Sequence, residues 1–214
     1  MNIRTFAALL ALFATLGAPV LHAQDKKIQA DVTYLMDRQQ IADTLQRYIR
    51  GIDRHDKDLA RSAFWPDARI NMGSEPQALD EYVNHEEGLL ATYLAHQHHI
   101  TGQTMEIQGN TAHVESYVLF LALPHNVAEK TEVGSGRYIE RYEKRKGEWK
   151  ILVREYVHDL TVHAETVDYC ATRPCLGRWD REDLSYVRPL QPLTAEQRRA
   201  RAEARKKARE TEKP

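Results

Sequence analysis

The spacing of apolar residues changes once along this chain, and that change restricts what it can fold into. Ile41, Leu45, Tyr48, Ile49 and Ile52 follow the three-to-four residue step of a helix with one buried stripe. Asp37, with Gln40 three residues on, reads as its start, and Gly51 before Asp53-Arg54-His55-Asp56 as its end. Asp56 opens a second helix with Leu59, Ala63 and Phe64 on one face, stopped at Pro66. A short strand over Asp67 to Met72 follows. A third helix carries Leu79, Tyr82, Val83, Leu89, Leu90 and Leu94, weakened at Gly88. From His96 onward the step becomes two. His96 to Ile107, Thr111 to Leu123, Gly136 to Lys144 and Trp149 to Leu160 read as strands, with Gln108-Gly109-Asn110 and Arg145-Lys146-Gly147-Glu148 as hairpin turns. Helices followed by strands is an α+β order. Strands this long in a small domain curl around the helices, which predicts a cone-shaped α+β barrel with three N-terminal helices in a curved antiparallel sheet and a pocket inside.

The two ends of the chain have a different character. Met1 to Ala23 has Arg4, an apolar run from Phe6 to Leu16, helix breakers at Gly17 and Pro19, and Leu21-His22-Ala23 before Gln24. That is the pattern of a cleaved secretory leader, too short to span a bilayer with margin, and it predicts export, to the periplasm in a Gram-negative source. No integral membrane span is then expected in the mature chain. The barrel domain is expected over residues 24–165 and an irregular extension over the sheet at 166–193. A basic helical or disordered tail is expected at 194–214, where Thr194-Ala195-Glu196-Gln197 has the capping-box pattern. Between Glu196 and Lys213 there are 8 basic and 4 acidic residues, the composition of a solvated helix. The whole chain has 30 Lys and Arg against 31 Asp and Glu, and no basic patch runs through the strands, so nucleic acid is not an expected partner. Cys170 and Cys175 flank Ala-Thr-Arg-Pro; in an exported protein a disulfide is expected, stabilising by only about 2 kcal/mol because the loop is short.

Four residues stand out as chemistry: Tyr48 and Asp53 at the end of the first helix, His99 on the first long strand, and Arg154 on the last. Leu152, Arg154, Tyr156 and His158 share a strand face by the two-residue alternation, and polar groups on an inward face suit the floor of a pocket. A carboxylate beside an imidazole fixes its tautomer and makes it a usable base near neutral pH. Asp53 would orient His99 as the base, Tyr48 would donate to a departing oxygen, and Arg154 would stabilise developing negative charge. Such a set needs no metal or organic cofactor. Each residue has a structural alternative: Asp53 as a turn residue, Tyr48 as core with a satisfied hydroxyl, His99 as a structural histidine, Arg154 paired with Glu140. Tyr156, Tyr117, Trp65 and His158 are candidate substrate contacts, while Tyr117, Tyr138, Tyr142 and Tyr156 suit an ordinary sheet surface as well. His96 and His98 share a face and His99 points the other way, and no nearby residue completes a metal ligand set.

Tyr48-Ile49-Arg50-Gly51-Ile52-Asp53, with Phe64-Trp65-Pro66-Asp67-Ala68, His98-His99 and Gly147-Glu148-Trp149-Lys150, resembles the SnoaL-like group of the nuclear-transport-factor-two-like superfamily. The resemblance covers roughly Asp31 to Glu165. Scytalone dehydratase, a bile acid dehydratase and the hexachlorocyclohexane dehydrochlorinase belong to that group. It implies an Asp–His dyad, which maps onto Asp53 and His99, and a Tyr and an Arg at Tyr48 and Arg154. Many relatives carry Asn four residues after the dyad histidine; here Gln103 stands there. The implied activity is a cofactor-independent lyase, a dehydratase acting on a small hydrophobic hydroxylated compound, with a homodimer or homotrimer as the assembly. A lyase releasing formaldehyde from a lignin-derived diaryl diol, and a non-catalytic binder of apolar ligands, are the alternatives within the same superfamily.

Overall fold

The computed structural model describes residues 3–73, 75–125, 130–165 and 175–211, with side chains described between residues 24 and 207. The chain divides into two units, residues 1–40 and 41–214. Helix α1 (Ile3–Asp53) begins in the first. It runs through Asp37, so Asp37 is not a helix cap; Gln24 to Met36 holds neither Gly nor Pro to stop the helix earlier. In the first unit Ile28, Val32, Leu35 and Met36 are exposed, and Lys27 pairs with Asp31 one turn on. The side chains of the expected leader, residues 1–23, lie outside the described ones. Among the described residues no helix is long and apolar enough to cross a membrane.

The second unit is α+β, as expected. The last turns of α1 bury Ile41, Thr44, Leu45, Tyr48, Ile49 and Ile52, and the Thr44 hydroxyl donates to the Trp149 carbonyl at 3.0 Å. Asp56 caps α2 (Lys57–Arg61) by accepting from the Leu59 N–H. Helix α3 (Leu79–Leu90) buries Leu79, Tyr82, Val83, Glu86 and Leu90. The strands are β1 (Phe64–Asn71), β2 (Gln77–Ala78), β3 (Tyr93–Gln108), β4 (Thr111–Pro124), β5 (Thr131–Arg145) and β6 (Glu148–Ala164). They form one curved, unclosed sheet in the order β2-β1-β6-β5-β4-β3. The four long strands are antiparallel, as expected, and the edge strand β1 pairs parallel with β6. The chain reaches that edge through α2, so β1 enters in the same direction as β6.

Turn chemistry accounts for the hairpins. Gly109, Lys146 and Gly147 all have positive φ at the two tight connections. Gly51 is fixed by packing instead. A Cβ there would sit 2.4 Å from the Ala60 backbone nitrogen, so α1 and α2 approach each other through this residue. Gly51→Ala gains about 1 kcal/mol of helix propensity but forces those backbones apart, a cost of about 1–3 kcal/mol or more. The expected result is net destabilisation, read as an earlier urea midpoint at unchanged slope; a stabilised variant would contradict the packing.

β3 and β6 each carry two register shifts, and one in each decides which side chains face inward at the candidate site. β4 and β5 keep strict alternation, with Ala112, Val114, Ser116, Val118 and Ala122, and Tyr138, Glu140 and Tyr142, turned to the core. On β3 the pairing steps from Ile100↔Val118 to Gly102↔Tyr117, which leaves Thr101 as a bulge. On β6 it steps from Ile151↔Tyr142 to Val153↔Arg141, which leaves Leu152 as a bulge. Each bulge reverses the parity of its strand.

Residues 175–193 pack beside the ends of α1 and α2 and against β3. Asp56 accepts from Arg181 at 2.6 Å and from the Tyr186 hydroxyl at 3.1 Å. Arg50 donates to the Ser185 carbonyl at 2.9 Å, and the Trp179 indole donates to the His96 carbonyl at 2.8 Å. Helix α4 (Ala195–Thr211) opens on the expected capping box, Thr194 and Gln197 each accepting the other's backbone N–H. It returns to the extension, since Arg201 donates to the Glu182 carbonyl and Arg205 lies over the Trp179 ring. Cys170 lies outside the described residues, and so does its expected bond to Cys175.

Candidate active site

Asp53 ends α1 and is 8% exposed, its carboxylate turned toward β3. The imidazole it meets belongs to His98, not His99. His98 Nδ1 lies 2.7 Å from Asp53 Oδ1, and the His98 backbone N–H donates to Oδ2 at 3.1 Å. Both carboxylate oxygens are therefore committed to one residue. His99 pairs across the sheet with Leu119 on the outer face and is exposed. The reason is the Thr101 bulge. Met105 and Ile107 face the core, and a regular strand run back from them would turn His99 inward; the extra residue turns His98 inward instead.

The contact with Asp53 selects one tautomer of a neutral His98 ring. A carboxylate against Nδ1 takes its hydrogen bond from an Nδ1–H, so Nε2 carries the lone pair. His98 lies 4.7 Å from the Phe120 ring, which fixes its plane on the apolar side. His96, two residues back on the same face, has a different state. Its Nε2 donates to the Ile52 carbonyl at 3.3 Å and sits 4.0 Å from Asp53 Oδ1, while Nδ1 has no hydrogen-bond partner. Burial holds this imidazole down to about 4, against the pull of Asp53.

That depression has a stability consequence. The unfolded chain takes up a proton on this ring below about pH 6.5 and the folded chain only below about 4. Stability is therefore complete above 6.5 and falls as the pH drops toward 4, by about 3 kcal/mol in all. His96→Gln is expected to flatten that part of the profile in urea unfolding across this interval; an unchanged slope would contradict a neutral buried His96.

Arg154 is fully buried. Its Nε and Nη2 both donate to Glu140 Oε1, at 2.8 and 2.6 Å, and the Tyr142 hydroxyl donates to Oε2 at 2.9 Å. The alternative reading of Arg154 as a partner of Glu140 is thus the observed one. Trp149 and Ile151 face the core, and it is the Leu152 bulge that turns Arg154 inward after them. The guanidinium carbon stands 4.0 Å over the Tyr48 ring and 4.1 Å over Tyr138. Its Nη1 is buried with no hydrogen-bond partner among the described residues. Burial alone would loosen the proton on this group, but Glu140 and the tyrosines hold it well above the ordinary value.

The Tyr48 hydroxyl meets that of Tyr82. Burial pushes both phenols, and that of Tyr138, well above the usual tyrosine range despite nearby Arg154. These hydroxyls can donate hydrogen bonds but do not give up protons readily.

The other candidate contacts separate. Tyr156 is half-buried on the inner face, 5.8 Å from the Tyr138 ring, and it lies across Gly136, where a Cβ would stand 2.6 Å from its hydroxyl. His158 is exposed near the far end of β6, 3.5 Å from the Tyr156 hydroxyl. Tyr117 is 50% exposed on the outer face, because its neighbours Ser116 and Val118 take the inward positions. Trp65 is also outside. Phe64 takes the core position, while Trp65 donates to the Glu143 carbonyl at 2.9 Å and lies under Arg145 and Lys150. Gln103, on the inner face, donates to the Ser116 hydroxyl at 3.1 Å.

One inward group was missed in the sequence. Glu86 occupies the apolar stripe of α3, one turn after Tyr82, and is 8% exposed. The signal was available: residues 79, 82, 83, 86 and 90 form one helical face, and a carboxyl in such a stripe is out of place. Burial raises its pKa, while His98, His85 and Arg154 pull it back. Among the described residues no cluster of three or more His, Cys, Asp or Glu is placed to hold a metal ion.

Comparison with known proteins agrees with this architecture. No curated protein matches the chain by sequence. A candidate scytalone dehydratase from Novosphingobium aromaticivorans shares the fold at 19% identity, TM-score 0.56, over 64% of this chain and 96% of that one. A hexachlorocyclohexane dehydrochlorinase from Novosphingobium barchaimii does so at 19% identity, TM-score 0.57, over 65% and 97%. A protein of unknown function from Mycobacterium tuberculosis is similar at 19% identity, TM-score 0.53, over 59% and 74%. Residues 33–155, more than half of the chain, match the model of the SnoaL-like domain, and the chain belongs to that family.

Proposed function

We propose that this protein is a cofactor-independent lyase, a dehydratase that removes water from a small hydrophobic hydroxylated compound. The observation that carries the reading is the 2.7 Å contact between Asp53 and His98, with Nε2 left as the basic nitrogen. His98 takes a carbon-bound proton, and Asp53 stabilises the imidazolium that forms. The Tyr48–Tyr82 hydroxyl pair holds the departing oxygen by hydrogen bonding. Arg154 Nη1, a buried donor with no hydrogen-bond partner among the described residues, is available to stabilise the charge that develops as the proton leaves carbon. Membership of a family whose structural neighbours include a dehydrochlorinase supports elimination chemistry.

The test is incubation with a panel of aromatic and polycyclic alcohols, read by mass. Loss of water supports the reading, loss of formaldehyde moves it to carbon–carbon cleavage, and retention without conversion makes the protein a binder. We further propose export to the periplasm, from the leader pattern of Met1 to Ala23. A mature protein beginning at Gln24, seen by intact mass after expression in a Gram-negative host, is the expected result; an unprocessed cytosolic chain would contradict it.

A further inference from the structure

Elimination of hydroxide needs two proton movements, one off carbon and one onto the departing oxygen. The Asp53–His98 pair supplies the first. The phenols of Tyr48, Tyr82 and Tyr138 are poor candidates for the second, because burial holds their protons tightly. Glu86 is the buried carboxyl one helical turn from Tyr82. It projects from the same stripe of α3 as Tyr82, whose hydroxyl meets Tyr48, and it is more than nine-tenths buried. Unlike Glu140, whose two oxygens are taken by Arg154 and Tyr142, Glu86 has no ion pair among the described residues. Burial and a place one helical turn after Tyr82 set its carboxyl on the inner side of α3, beside the hydroxyl pair, and it feels the charges of His98, His85 and Arg154.

We propose that Glu86 is the proton donor of the site, passing its carboxyl proton to the oxygen that leaves while His98 accepts the proton from carbon. The assignment rests on the lyase reading above. The C–H and C–O bonds break, a C=C bond and water form, His98 becomes an imidazolium and Glu86 a carboxylate. Transfer of the proton from His98 back to Glu86, through the released water, restores both groups. Desolvation keeps Glu86 protonated to higher pH than a free carboxylic acid, as a donor requires.

The experiment uses two aryl ketones with the same skeleton, one carrying a β-hydroxyl and the other β-para-nitrophenoxide. The second leaves as a stable anion and needs no acid. Wild type should turn over both, and His98→Asn should lose both. Glu86→Gln should lose roughly 10²–10³-fold on the hydroxy ketone and stay within about threefold on the nitrophenyl ether. Glu86→Asp, which keeps the carboxyl, should recover part of the loss, and circular dichroism should show both variants folded. Equal losses on the two ketones, or no loss on either, would overturn the role of Glu86 while leaving His98 in place. Wild-type protein inactive on both would overturn the lyase reading and the donor with it.

Discussion

His98→Asn is expected to lower kcat/KM by roughly 10²–10⁴-fold on any alcohol the panel identifies, and His99→Ala to leave it within about twofold. The contrast is sharp because the two residues are neighbours. His98 lies on the inner face against Asp53, and His99 on the outer face opposite Leu119. Both variants should unfold near the wild-type midpoint, since the Asn amide can still donate to Asp53. If His99→Ala were the inactive variant, the register of β3 given above would be wrong. If neither lost activity, the base would have to be sought elsewhere.

The second large effect concerns stability. Arg154→Met leaves Glu140 in the core with only the Tyr142 hydroxyl, and removing one partner of a buried ion pair costs about 3–5 kcal/mol. Arg154→Met with Glu140→Leu removes both charges and should recover most of that loss, because two apolar side chains of similar size need no pairing. Urea unfolding of the single and double variants measures the difference. A single variant within about 1 kcal/mol of wild type would contradict the buried pair. A double variant as unstable as the single one would mean that Arg154 acts mainly by packing on Tyr48 and Tyr138.

The elements were legible because their signals are local. The stripe from Ile41 to Ile52, the alternation after His96 and the glycines of two tight turns each act within a few residues. Asp53 and Arg154 were legible as inward groups, and so was the capping box of α4. What was hidden is parity. One unpaired residue at Thr101 decides between His98 and His99, and one at Leu152 admits Arg154 to the interior. A bulge is set by how two strands and the helices under them fit together, and neither Thr101 nor Leu152 announces it in the sequence. The parallel edge β1, and the docking of residues 175–193 on Asp56, are likewise long-range pairings. Glu86 is a different case: its place in the α3 stripe is a local signal, a carboxyl at a helical spacing otherwise filled by apolar residues.

The central claim is that Asp53 holds the His98 ring with its proton on Nδ1. Nitrogen-15 NMR of the imidazole in its neutral form reads this without any substrate. The account predicts a protonated Nδ1 and a bare Nε2 for His98, and loss of that preference in Asp53→Ala. A proton on Nε2, or a preference unchanged when Asp53 is removed, would contradict it.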